Sequence, residues 1–161
     1  MAASGAITRQ TAESKSPAPM VIAICCLAII VALVLGVGLA SNLVVRHLVQ
    51  TAPLWIVVVL AFRRSPLTSW TALPCFLFWL FLMAIIWLYL LGISHLISGH
   101  FSPVEIAMTI IVGMACIFGT AACLRFRPFL SLTGKVASFA AMALVQFVCF
   151  RLSFLPAIAN R

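Results

Sequence analysis

Acidic residues are nearly missing from this chain: Glu13 and Glu105 are the only two, and there is no aspartate among its 161 residues. Hydrolysis and group transfer rely on acids, bases or metal ligands within reach of one another. One glutamate outside the N-terminal stretch and three histidines (His47, His95, His100) are a poor supply, so no catalytic role is expected. Charge of either sign is scarce as well, at 7%, against about a quarter in soluble domains. No C-x-x-C pair occurs, which argues against a membrane enzyme that forms disulfides. No Asp, Glu or Lys falls in the interior of an apolar run, which argues against ion coupling in a carrier built from this chain alone. No inverted repeat is visible, and an odd helix count would not divide into equal halves.

What is present is apolar surface, since 65% of the residues are hydrophobic. A water-soluble fold could not cover that much, and the excess belongs in lipid. A crossing needs roughly 20 apolar residues, so the length allows five or six crossings and leaves no room for a second, soluble domain. The expected fold is all-α, an integral membrane bundle, with a polar tail at 1–18, one transmembrane domain at 19–155 and a short tail at 156–161.

The net charge is +8, from ten Lys or Arg against two acids. These residues sit in short segments between apolar runs and do not interleave with exposed aromatics as a nucleic-acid surface would. They are read as the positive-inside bias and as contacts with anionic lipid head groups; no nucleic-acid partner is expected. The cysteines, Cys25, Cys26, Cys75, Cys116, Cys123 and Cys149, lie in or beside apolar runs and read as small packing residues. Cys116 and Cys123 are too far apart along one helix for a mutual disulfide.

Along the chain, the uncharged run Met20 to Val45 is longer than the 7–15 residues of a signal-peptide core. It reads as a retained anchor, although Gly38-Leu39-Ala40 resembles a cleavage site. Residues 43–62 are ambiguous. Arg46, His47, Gln50 and Thr51 share one helical face, Pro53 interrupts, and Leu54 to Phe62 is apolar. Either Ser41-Asn42 turns the chain and 43–62 is a second crossing, or 46–62 lies in the membrane interface. Thr71 to Ile93 is an aromatic-rich crossing. Ser102-Pro103-Val104-Glu105 has the capping-box pattern, with serine as N-cap and proline as first helical residue, and opens a crossing that runs to Leu124. Residues through Lys135 form a loop, and Val136 to about Leu155 is the last crossing.

Five crossings with the N-terminus inside place seven basic residues in the cytoplasm (Arg9, Lys15, Arg63, Arg64, Arg125, Arg127, Lys135) and three outside (Arg46, Arg151, Arg161). Four crossings with the N-terminus outside split them six to four. The positive-inside rule therefore prefers five, and both arrangements leave 95–102 outside. The expected location is the cell membrane, as a multi-pass protein of a bacterial inner membrane.

Small residues permit close helix approach in lipid. Ala28, Ala32, Gly36 and Ala40 form such a stripe, as do Ala115, Gly119 and Cys123, and Ala137, Ser138 and Ala141. These stripes mark the expected bundle interior, with homo-oligomer or partner contacts as a further use of the first; the aromatic helix is expected at the periphery. Gln146 is expected to bond between helices. The expected role is non-catalytic: a structural, accessory or partner-binding membrane subunit, with no cofactor. The alternative is a transport or electron-transfer component with a metal or haem site on the outer face. Its ligands would be His47, His95 and His100, joined by Glu105, with Arg46 nearby.

Overall fold

The computed structural model describes residues 16–93, 101–126 and 129–159. They form α1 (Ala18–Val31), continued by a π-helical segment (Ala32–Gly38), then α2 (Val44–Phe62), α3 (Thr68–Leu90), α4 (Pro103–Arg125), α5 (Leu132–Leu152) and a single turn, α6 (Pro156–Ala159). Five of these helices, α1 with its π segment and α2 to α5, are long and apolar enough to cross a membrane. The chain is thus a membrane-embedded helical bundle. The expected tail at 1–18 falls mostly outside the described residues, as does the polar loop with His95 and His100.

The turn at Ser41-Asn42 is a Schellman motif. Leu43 N–H donates to Gly38 O at 2.8 Å and Asn42 N–H to Leu39 O at 3.4 Å, while Asn42 takes φ 54°. Asparagine tolerates this left-handed conformation because its short polar side chain bonds locally. A reversal of this kind needs neither glycine nor proline. Gly38 serves the turn differently: a Cβ there would lie 3.2 Å from the Cα of Val44, so its absence lets α2 start against α1. The polar face of α2 points into the bundle, with His47, Gln50 and Thr51 buried. Val44–Phe62 is one continuous helix, long and apolar enough to cross a membrane.

α2 packs along α1, α3 along α2 and α4 along α3, whereas α5 packs against α3 and α2. The neighbours form a ring in the order α1, α2, α5, α3, α4 and back to α1, with α2 and α3 also touching across it. Two expectations about burial are corrected here. The aromatic helix α3 is not peripheral, since it packs against α4 on one side and α5 on the other. Phe76 is fully buried, and a Cβ on Gly119 of α4 would come within 2.5 Å of its ring. The small residue of one helix receives the large ring of the next. The last helix is the outlying one: only Met142 and Gln146 of α5 are buried, and Ala137 and Ala141 are exposed. Their small size therefore marks no interior.

The expected start of the last crossing is also corrected. Ser131 Oγ accepts from Gly134 N–H at 3.1 Å, an N-cap that starts α5 at Leu132 and takes Lys135 into the helix. The crossing expected at Thr71 to Ile93 is shifted earlier, to Thr68–Leu90. It stops at Gly92, whose φ of 72° accompanies a second Schellman pair from Ile93 N–H to Leu88 O and from Gly92 N–H to Tyr89 O, both 2.9 Å.

Candidate functional site

One end of the bundle collects the groups that carry polar chemistry. The capping box at α4 is formed: Glu105 N–H donates to Ser102 Oγ at 3.2 Å, and Ser102 N–H donates to Glu105 Oε2 at 2.8 Å. The second carboxylate oxygen accepts from Ser41 Oγ at 2.5 Å. Glu105 thereby ties the start of α4 to the turn between α1 and α2. Its charge also stands at a helix N-terminus, where the backbone dipoles favour it.

Arg46 and His47 occupy the first turn of α2. The Leu43 carbonyl can only accept, so the 2.9 Å contact to His47 Nδ1 places a ring proton on Nδ1. Arg46 stacks its guanidinium on the ring of Phe154, 4.1 Å from the centroid. Its Nε is buried and has no hydrogen-bond partner. One turn deeper, Gln50 Nε2 donates to Ser153 Oγ at 2.9 Å, and the Gln50 carbonyl accepts from Gln146 Nε2 at 3.2 Å. Gln146 thus makes the expected interhelical bond.

These residues border a half-open cavity of about 390 Å³ at this end of the ring of helices. Every crossing contributes to its wall: Leu33 and Val37 from the π segment, Arg46, His47 and Gln50 from α2, Trp79 and Ile86 from α3, Glu105 and Thr109 from α4, and Phe150 from α5, with Phe154 just beyond. π-helical segments recur at functional sites, and this one faces the cavity. Trp79 is 3% exposed, yet its indole N–H has no acceptor. Phe78, Phe150 and Phe154 pack edge to face, at 5.1 and 5.0 Å between centroids, and lead from α3 to the Arg46 guanidinium.

Of the expected outer-face cluster, the structure brings together Arg46, His47 and Glu105. His95 and His100 lie outside the described residues. Among the described residues no group of three His, Cys, Asp or Glu side chains is placed to hold a metal ion. Sequence reasoning did not single out Trp79. It read the tryptophan as one of several aromatics on a peripheral helix, and an indole without an acceptor leaves no mark in sequence.

The opposite end of the bundle carries Arg63, Arg64, Arg125 and Lys135. Ser69 Oγ donates to Phe126 O there at 3.2 Å, and Lys135 lies 5.7 Å from the Trp70 ring centre. All six cysteines are free and five of them are buried. Ala28, Ala32 and Gly36 line an open groove of about 530 Å³ between α1 and α4, facing Val104 and Met108; Ala40 is exposed beyond it. No family model, curated protein or solved structure matches this chain.

Proposed function

We propose that the protein is a non-catalytic, multi-pass component of the cell membrane that works by binding a small molecule inside its bundle. The observation that supports this is the cavity itself, to which all five crossings contribute and whose lining residues Arg46 and Trp79 each carry a buried N–H without a partner. Its volume falls in the range of about 300–1,000 Å³ usual for small-molecule sites. A site of mostly apolar wall with a few convergent polar groups is the usual form of a ligand pocket. Glu105 is engaged as a structural tie, its two oxygens holding the Ser41 hydroxyl and the Ser102 backbone N–H, which favours binding over catalysis. Arg63, Arg64, Arg125 and Lys135 at one end support a cytoplasmic assignment of that end. The cavity then opens toward the outer face of what would be, in a bacterium, the inner membrane.

Purification followed by extraction and mass spectrometry tests the proposal. The native chain should release a molecule in near-stoichiometric amount, and a folded variant with the cavity filled by Val37→Trp should release less. Equal release from both proteins would overturn it.

The groove between α1 and α4 supports an accessory role beside this. Its small-residue floor would admit a helix of a partner or a second copy at close range. A cysteine at position 35, in a chain without the native cysteines, should crosslink between copies in the membrane if the occupant is a second copy. Monomer alone would count against that occupant.

A further inference from the structure

We infer that the cavity takes an amphiphile with an anionic oxygen-bearing head, set against Arg46 and the indole N–H of Trp79, and an apolar body lying along Ile86 and Phe150; this rests on the binding role proposed above. Two separate observations point to an acceptor at this cavity. Buried N–H groups rarely lack an acceptor, yet two of them, Arg46 Nε and Trp79 Nε1, do so at one cavity. They belong to different helices, α2 and α3.

The sign of the head follows from the charges that border the cavity. Glu105, the one acid among the described residues, holds its oxygens to Ser41 and Ser102 and stands at the positive end of the α4 dipole. His47 is directed through Nδ1 at a backbone carbonyl. Arg46 has the Phe154 ring as its partner. A ring face compensates a guanidinium less fully than an anion does, and charges at membrane depth are ordinarily paired. Arginine's planar fork suits a carboxylate or a phosphate. The other polar groups of the wall are engaged within the protein, Ser41 with Glu105, Gln50 with Ser153 and Thr109 with the Ile106 carbonyl, and Leu33, Val37, Ile86 and Phe150 are apolar.

The full chain in phosphatidylcholine nanodiscs, titrated with dodecanoate, dodecyl phosphate, dodecanol and dodecyltrimethylammonium against empty nanodiscs, tests the inference through tryptophan fluorescence. At least one of the two anions should bind saturably, and about tenfold more tightly than dodecanol, the scale of one charge-assisted hydrogen bond. Which anion binds better distinguishes a carboxylate from a phosphate head. Arg46→Gln should reduce anion binding to the level of dodecanol. Trp79→Phe should weaken it and remove most of the spectral change. Circular dichroism and elution volume establish that each variant is folded, and Arg46→Lys, which keeps the charge but lacks Nε, should fall between native and Arg46→Gln. Dodecanol binding as tightly as the anions, an anion preference that survives Arg46→Gln, or a preference for the cationic amphiphile would overturn the head assignment while leaving a binding cavity. Failure of all four probes to bind the folded native chain would overturn the amphiphile itself. The extraction experiment then separates that result from failure of the wider binding role.

Discussion

Gln50 and Ser153 meet inside the bundle with 2.9 Å between the amide nitrogen and the hydroxyl oxygen. Gln50 lines the cavity from α2, and Ser153 is the first residue after α5. Ser153 also donates to the Phe150 carbonyl at 2.6 Å, and Gln146 reaches the Gln50 carbonyl from the same helix. The thinly buried α5 is thus held to α2 by side-chain hydrogen bonds at two successive levels.

Gln50→Leu should therefore lower stability by about 1 kcal/mol, within the range of side-chain bonds between membrane helices. Gln146→Leu should cost less, because it removes an unpartnered buried oxygen along with the donor. Thermal unfolding in a mild detergent measures both. A larger loss from Gln146→Leu would contradict the assigned network.

Glycine substitutions should separate a rigid contact from a soft one. A Cβ at Gly119 would meet three ring atoms of Phe76 at 2.5 to 2.8 Å, and that ring is fully buried. At Gly36 the nearest atoms are those of the Met108 side chain, from 2.5 Å, and methionine can change rotamer. Gly119→Ala should destabilise by about 1–3 kcal/mol, the scale of overpacking, and Gly36→Ala by less. Adding Phe76→Leu to Gly119→Ala should recover part of the loss. Equal melting temperatures for the two alanine variants would argue against the α3–α4 contact described.

At the start of α4, Ser102→Ala should cost about 1 kcal/mol, the usual worth of an N-cap. Glu105→Ala should cost more, since it releases Ser41 and the Ser102 backbone together. Glu105→Gln keeps one acceptor oxygen and should fall below Glu105→Ala. The same unfolding assay ranks the three. A ranking with Ser102→Ala as the most damaging would show that the tie to Ser41 contributes little.

Sidedness can be read by labelling single cysteines in a chain without the native six. Positions 65 and 131 should react from the cytoplasmic side, and position 42 from outside, as the basic residues around Arg63 and Arg125 require under the positive-inside rule. Labelling of position 42 in sealed cells only after permeabilisation would reverse the topology and move the cavity to the cytoplasmic face.

The helices were legible before any coordinates because their causes are local. A crossing is set by about 20 apolar residues in a row, and its ends by groups a few residues apart. Ser102-Pro103-Val104-Glu105 forms the capping box its spelling announces. Ser41-Asn42 turns the chain because the hydrogen bonds of a Schellman motif close within six residues. The grouping of Arg46, His47 and Glu105 at one end was legible too, because antiparallel succession alone brings those helix ends together. Which helices are neighbours was not. In water, an apolar stripe marks the face a helix buries, but in lipid every face is apolar and the stripe carries no such message. Burial is then decided by fit between distant residues. Phe76 sits on the bare backbone of Gly119, so α3 takes its place in the ring beside α4. Ala137 and Ala141, though equally small, face no such ring and stay outside. The cavity and the indole N–H of Trp79 set into it arise from the same packing. A void is what remains where five surfaces meet without filling the space between them, and no one segment of the chain encodes that.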